Sequence, residues 1–260
     1  MRLALFGLLL LAAGSPGLAR DLRVCADPNN LPFSNAREEG FENKVIQVVA
    51  KELGADVHYV WWAQRRGNVR ETLNAGQCDV IPGVASSLEM LATTRPYYRS
   101  AYVAVERADA PPVASFDDPR LEKMRLAVQL IGDDGSNSPP AHALSRRGII
   151  DNVRGYTVYG DYESTNPQSS IVEAVAKGDV DVAFVWGPTA GYFAKRQPVA
   201  LRVTLVDPLI DGPRWPMMFD ISMGVRRDNR ALRKELDDAL QKHAAEIRAI
   251  LIDYGVPLAP

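Results

Sequence analysis

The spacing of apolar residues divides the first third of the chain into short strands that alternate with amphipathic helices. The apolar positions of the first helix recur at helical spacing from Phe41, and Gly54 lies where a helix C-cap belongs. The elements predicted here are strand 22–26, helix 41–53, strand 57–62, a short helix 68–73 capped by Asn68, and strand 79–83. This βαβαβ order implies a parallel sheet with helices on its faces.

A second series of the same kind follows a strand at 97–105. Its predicted elements are strand 126–130, helix 139–147, strand 156–159, helix 169–177 and strand 180–186. The segment 76–80 closes a helix and opens a strand, and the segment 178–182 does the same 102 positions later. The repeated order favours two similar α/β lobes over one large sheet. Strands at 201–206 and 219–225 and one long helix, capped by Asn229, complete the pattern.

The N-terminal segment 1–19 has an early positive charge, a short apolar run and small residues before a plausible cleavage site after Ala19. These features predict a cleaved signal peptide and a periplasmic location. A membrane helix is the other interpretation, but Gly14 and Pro16 interrupt the run before it reaches spanning length. Without this segment the formal charge is −3, since only Arg2 is lost, which gives no support for nucleic-acid or polybasic membrane binding.

The chain contains two cysteines, Cys25 and Cys78. An even pair in an exported protein suggests a disulfide, and two buried free thiols are the alternative. A bridge between Cys25 and Cys78 would close a loop of about 50 residues and would stabilise the fold by about 4 kcal/mol.

Several motifs resemble the periplasmic solute-binding proteins of polar amino acid transporters. They include "LRVCADPNNLPFSN", "GFENKVIQVVAKELG", "LNAGQCDVIPG" and "RPYYRSAYVAV". The resemblance implies an α/β, type II solute-binding fold with two lobes joined by two crossing strands and a ligand cleft between them. The first lobe would comprise 20–104 and 206–260, and the second lobe 105–205, with crossing strands near 100–105 and 201–206.

A longer set of motifs resembles the MoxJ/XoxJ-type proteins, which are associated with PQQ-dependent methanol dehydrogenases. These motifs are "CADPNNLPFSN", "TTRPYYRS", "VYGDYEST", "VWGPTAGYFA", "MMFDISMGVRRDN" and "AEIRAILIDYGVP". This resemblance implies a periplasmic accessory protein whose partner is a quinoprotein methanol or alcohol dehydrogenase, with no cofactor of its own.

In open α/β sheets, ligands bind beside the loops at the carboxyl ends of the strands. The cleft residues nominated on this basis are Asp27, Asn29, Phe33, Ser86, Ser87, Arg95, Asn137, Tyr162 and Trp186, with Asn30, Gly83, Asp134 and Ser136 as neighbours in the same loops. For Asp27 and the asparagines, turn formation and capping are an equally good interpretation.

Two positions depart from what the amino-acid-binding family carries. Ser87 stands where that family has an arginine for an α-carboxylate, and Trp186 stands where it has an aspartate for an α-ammonium. A serine hydroxyl cannot replace a bidentate arginine, and an indole cannot neutralise a cation. We therefore expect weak binding of free α-amino acids and a cleft suited to an apolar or aromatic group. Arg95 could be a substitute anchor, although a surface or hinge-anchoring arginine is the other interpretation.

Three functions compete at this point. The first is the accessory protein, and the second is the ligand receptor of an ABC importer for a non-amino-acid solute. The third, an enzyme of the same fold, has little support: the three histidines lack metal-ligand spacing, and no nucleophile, phosphate or dinucleotide motif is found. A dehydratase would need a cleft acid near Trp186, where an indole cannot donate a proton.

Overall fold

The computed structural model describes residues 20–113, 115–131, 137–158, 162–212 and 215–260. The expected signal peptide, and Asp134 and Ser136 of the candidate cleft, lie outside these ranges. The strands are β1 Arg20–Ala26, β2 Asn29–Asn30, β3 Ser34–Asn35, β4 Ala55–Trp61, β5 Ile81–Ala85, β6 Ala92–Thr93, β7 Tyr98–Arg107, β8 Leu126–Leu130, β9 Val153–Thr157, β10 Val182–Trp186, β11 Leu201–Leu205, β12 Ile210–Asp211, β13 Trp215–Pro216 and β14 Met218–Val225. The helices are α1 Phe41–Leu53, α2 Asn68–Glu71, α3 Pro139–Arg146, α4 Ser170–Lys177, α5 Gly187–Ala194, α6 Arg230–Lys242 and α7 Ala244–Asp253, with 3-10 turns at Pro119–Glu122 and Pro167–Ser169.

The first βαβαβ series forms the parallel sheet that the sequence predicts. β1 pairs in parallel with β4, and Val24 in β1 forms a parallel bridge to Val80, which precedes β5. The spatial order is therefore β4-β1-β5, and β14 continues it as an antiparallel neighbour of β5. A disulfide between Cys25 and Cys78 joins the first strand to the segment before the third, which confirms the predicted bridge.

The second series repeats this arrangement. β8 pairs in parallel with both β9 and β10, which gives the order β9-β8-β10. β7 pairs antiparallel with β10, and β11 pairs antiparallel with β7. In each series the first strand is central, and the third strand is flanked by an antiparallel neighbour.

An ion pair between an arginine and an aspartate occurs at the corresponding position of each series. The Arg23 guanidinium and backbone N–H donate to the Asp79 carboxylate, with Nη2 to Oδ1 at 2.8 Å. Arg125 donates to Asp181 in the same way, with its backbone N–H 2.7 Å from Oδ2. Both members of the second pair lie 102 positions after those of the first, so the repeat in the sequence corresponds to a repeat in the fold.

Strand β7 runs through both parts of the large sheet. Its residues 98–101 pair with β14, whereas residues 102–106 pair with β10. The hydrophobic clusters follow the same division. Two contain residues from 22–98 and 221–256, and two contain residues from 102–217 together with Leu31.

The C-terminal region differs from the prediction of one long helix. Asn229 does cap its start, since its Oδ1 accepts from the Leu232 N–H, but the helix ends at Lys242 and α7 begins at Ala244. His243 lies between them and contacts both Glu52 and Glu246 through its ring nitrogens, so side-chain bonds hold the chain at the break. The short helix α2 also differs, because its N-cap is Gly67 and Asn68 is its first helical residue.

Candidate ligand-binding cleft

A cavity of about 580 Å³ lies where the strands of both series end. Its wall is built from residues that follow β1, β4, β8 and β9, from the end of β10 and the start of α5, and from parts of β5, β7 and β14. This is the position at which open α/β sheets bind ligands, because the carboxyl ends of neighbouring parallel strands leave a crevice there.

Aromatic side chains form a continuous part of this wall. The Trp186 ring packs edge-on against Tyr102 at 5.4 Å between centroids and against Phe219 at 5.9 Å. Phe33 and Tyr98 also line the cavity. The backbone of Trp186 is held by Gln129, because the Trp186 N–H donates to Gln129 Oε1 at 2.7 Å. Burial raises the pKa of the Tyr102 and Tyr98 phenols well above the usual value, so they stay neutral.

Asp27 is the acidic side chain of the described wall, and it is only 3% exposed. Its Oδ1 accepts from the Asn29 N–H at 2.8 Å, and its Oδ2 accepts from the Gln64 N–H at 2.7 Å. The Tyr162 hydroxyl donates to the same Oδ2 at 2.6 Å. Burial, and then the bond to Asp27, raise the pKa of Tyr162 well above its usual value, so the phenol keeps the proton that it donates. The carboxylate is therefore satisfied from within the chain.

Arg65 is the positively charged side chain of the described wall. It is exposed at the edge of the cavity, and its Cζ lies 5.2 Å from the centroid of the Tyr162 ring. A second contact holds the same part of the chain, since Asn29 Nδ2 donates to the Ser164 carbonyl at 2.7 Å. Residues 162–164 are thereby fastened to the loop that follows β1.

A buried carboxyl lies just behind the wall. Glu42, in the first turn of α1, is 3% exposed, and burial followed by the nearby Asp27 charge raises its pKa to about 8. Its Oε1 packs against Gly83, whose backbone forms part of the cavity surface. At neutral pH this carboxyl is mostly protonated, so it adds little negative charge beneath the aromatic wall.

The matches to known proteins agree with this architecture. The model of the bacterial extracellular solute-binding proteins, family 3, matches residues 22–254. The chain belongs to this family.

Relatives of this family-3 protein include the MoxJ protein of Paracoccus denitrificans, which is 34% identical over 98% of this chain and 95% of its own length. Among solved structures, the periplasmic binding protein XoxJ from Methylobacterium extorquens AM1 is 35% identical and superposes with a TM-score of 0.74 over 92% of this chain and 99% of its own. MxaJ from Methlophaga aminisulfidivorans MPT is 29% identical, with a TM-score of 0.79 over 92% of this chain and all of its own. These matches confirm the α/β periplasmic-binding-protein fold and place the chain in a family of binding proteins.

Of the cleft residues nominated from the sequence, the structure brings five together in the cavity wall, and it also places Asn30 and Gly83 there. The five are Asp27, Asn29, Phe33, Tyr162 and Trp186. The Asp27 carboxylate forms the turn bond to Asn29 and also lines the cavity.

The other four nominated residues lie elsewhere. The Ser86 hydroxyl is 2.6 Å from Ser222 Oγ, which itself donates to a backbone carbonyl, and Ser87 is exposed outside the wall. Arg95 is held on the surface, where its N–H donates to Asp237 and its guanidinium to Gln241, so it matches the surface interpretation. Asn137 is exposed and forms a β-bridge to Leu130.

The wall residues that the sequence argument missed include Gln64, Arg65, Tyr102 and Gln129. Gln129 gave a usable signal, since a glutamine inside the apolar strand "LAVQL" needs a polar partner. Tyr102 gave none, because its position in a buried strand is equally typical of a core residue.

Among the described residues, no group of three or more His, Cys, Asp or Glu side chains could hold a metal ion. Nor does any described helix have the length and apolarity to cross a membrane.

Proposed function

We propose that this family-3 protein is a periplasmic accessory protein that binds a quinoprotein, PQQ-dependent methanol or alcohol dehydrogenase, and that it does not catalyse a reaction itself. The similarity to MoxJ and XoxJ over nearly the full chain supports the assignment to this system. The observation that carries the binding role is the indole of Trp186 between Tyr102 and Phe219 in the cavity wall.

The charge distribution of the cavity disfavours a free amino acid. A zwitterion needs an anion with spare acceptor capacity and a cation placed opposite it. Here the carboxylate of Asp27 already accepts three hydrogen bonds, and both Asp27 and Arg65 come from the segment before residue 104. The aromatic rings instead offer the edge and face contacts that stabilise another aromatic or apolar group by about 0.5–1.5 kcal/mol per ring pair. The occupant we propose is an apolar or aromatic group, from a small molecule or a segment of the partner.

The same cavity makes the PQQ cofactor a poor occupant, because PQQ carries several carboxylates and Arg65 is the single cation of the described wall. The role we propose is therefore to bind the dehydrogenase, not to carry its cofactor.

We also propose that residues 20–104 with 206–260 and residues 105–205 form the two lobes, and that residues 1–19 are a signal peptide removed on export. The separate hydrophobic clusters support the lobes.

The direct test is co-purification of the mature chain with a PQQ-dependent methanol dehydrogenase from the same organism, in apo and holo form. We expect binding at micromolar concentration or tighter to at least one form. Trp186→Ala should weaken it, whereas Trp62→Ala, which removes an indole that is 41% exposed and outside the cavity wall, should not. Absence of binding to both forms would overturn the proposal. If only Trp62→Ala weakened binding, the partner would bind at a surface outside the cavity.

Calorimetry with the standard amino acids separates this role from that of an importer receptor. We expect no tight, selective binding of any of them. A thermal-shift screen covers other solutes, because a ligand at 100 times its dissociation constant adds about 2.7 kcal/mol of stability. Tight binding of one amino acid would refute the cavity assignment, and tight binding of another small solute would favour the importer.

A further inference from the structure

The Asp27 carboxylate is held by donors of two kinds. Asn29 and Gln64 donate through the backbone, so these two bonds are fixed by the loops that follow β1 and β4. The third donor is the hydroxyl of Tyr162, a side chain from the other series of the fold. Only this third bond can be removed without rebuilding the backbone of the site.

A buried carboxylate that loses a donor attracts a cation strongly. Asp27 is only 3% exposed, so its charge is weakly screened by solvent. The neighbouring ring faces would add to the attraction for an organic cation. In the native protein the phenol of Tyr162 takes the place that such a cation would occupy at Oδ2.

Two further contacts keep the Tyr162 ring at this position. The Arg65 guanidinium lies over the ring, and the bond from Asn29 to the Ser164 carbonyl fixes the backbone two residues away. The bond from Asn29 is independent of the phenolic hydroxyl, whereas Arg65 also forms a hydrogen bond with that hydroxyl. A phenylalanine at position 162 should therefore keep the segment in place and remove one hydrogen-bond donor from the cavity.

We propose that Tyr162 is the residue that sets the charge preference of the cavity: by donating to Asp27 it makes the cavity accept uncharged apolar groups and reject organic cations. This inference rests on the proposed function in one respect, namely that the cavity is a ligand site. It adds the prediction that a single hydroxyl decides between two ligand classes.

The test compares two probes of the same size and ring, the 2-phenylethylammonium cation and neutral 2-phenylethanol. Their binding to the wild-type chain, Tyr162→Phe, Asp27→Asn and the double variant is measured by calorimetry at neutral pH, with tryptophan fluorescence, to which Trp186 in the cavity wall contributes, as a second signal. We expect Tyr162→Phe to bind the cation at least about tenfold more tightly than the wild type, the size of effect expected for one bond to a charged group. Binding of 2-phenylethanol should change by less than about twofold.

The double variant is the matched control, because it lacks the phenol and also the charge. It should lose the gain for the cation while still binding 2-phenylethanol. If the neutral probe binds but the cation gains nothing in Tyr162→Phe, the inference about Tyr162 is wrong and the cavity assignment stands. If neither probe binds any variant, both the inference and the cavity assignment fail. A gain for the cation that persists in the double variant also overturns the inference, since Asp27 would not be its cause.

Discussion

The carboxyl of Glu42 packs directly against the α-carbon of Gly83, so that a β-carbon at this glycine would lie 1.8 Å from Glu42 Oε1. Gly83 also has a φ of +70°, a left-handed conformation that favours glycine. The contact joins the first turn of α1 to β5 directly behind the cavity wall.

Replacement of Gly83 by alanine should therefore destabilise the protein through both a clash and backbone strain. We expect a loss of about 2–5 kcal/mol in the free energy of unfolding, measured by urea denaturation. Gly76→Ala is the matched control, because Gly76 has a φ of +74° but no atom within 4 Å of the added methyl group. It should lose only about 1–2 kcal/mol from strain. Equal losses in the two variants would show that the Glu42 contact is unimportant.

The protonation of Glu42 predicts a pH dependence of stability. Burial, and then the charge of Asp27, raise its folded pKa from 4.5 to about 8. Between these values the folded protein holds a proton that the unfolded chain releases, so the stabilisation is complete below pH 4.5 and is lost as the pH rises toward 8. The loss is up to about 1.4 kcal/mol for each pH unit.

Glu42→Gln removes this titration while keeping the shape of the protonated acid. The stability of the variant relative to the wild type should therefore rise between pH 5 and pH 8, as measured by urea unfolding at several pH values. Other titrating groups contribute equally to both proteins and cancel in the difference. A difference that does not change with pH would mean that the carboxyl is charged in the folded state.

The disulfide between Cys25 and Cys78 closes a loop of 53 positions in the chain. Its sulfurs are buried in a small cluster with Leu73 and Ile81. The double variant Cys25→Ala/Cys78→Ala should lose about 4 kcal/mol, because the unfolded chain regains the freedom of the closed loop. Unfolding of the wild type with and without reductant provides the comparison, and a loss below about 1 kcal/mol in both experiments would contradict the expectation.

Glu106 on β7 is 1% exposed and depends on Arg202 of the neighbouring β11, whose Nη1 lies 3.1 Å from its Oε1. Arg202→Met should destabilise the protein by about 3–5 kcal/mol, because it leaves a buried charge without its cation. Lys234→Met removes the cation of the exposed pair with Asp238 on α6 and should lose only about 0.3–0.5 kcal/mol. Thermal and urea unfolding of the two variants would test the contrast, and similar losses would refute it.

The repeated βαβαβ order was predictable because apolar periodicity is a local property of the chain. The cap at Gly54, the bridge between Cys25 and Cys78 and the crossing strand near residue 100 all follow from local patterns or from the resemblance. The break at His243 was not predictable in this way, because the acid that holds its Nε2 is Glu52, 191 positions away in the sequence.

The candidate site was predictable to the extent that its residues follow strands directly. Asp27 directly follows β1, Trp186 is the last residue of β10, and both line the cavity. Ser87 was placed by counting back from Tyr97, and such a count does not follow the turn after β5, which leads the chain to the surface. The bond from Tyr162 to Asp27 joins residues 135 positions apart, so no local pattern could indicate that the carboxylate is already occupied.

One strand supplies two of the cavity's rings, and this has a mechanical consequence. Tyr98 lies where β7 pairs with β14, and Tyr102 lies where the same strand pairs with β10. If the part of the sheet that pairs with β14 twists against the part that pairs with β10, the three residues between Tyr98 and Tyr102 must change conformation. The distance between the two rings changes with them. A group that contacts both rings is therefore expected to resist this twist.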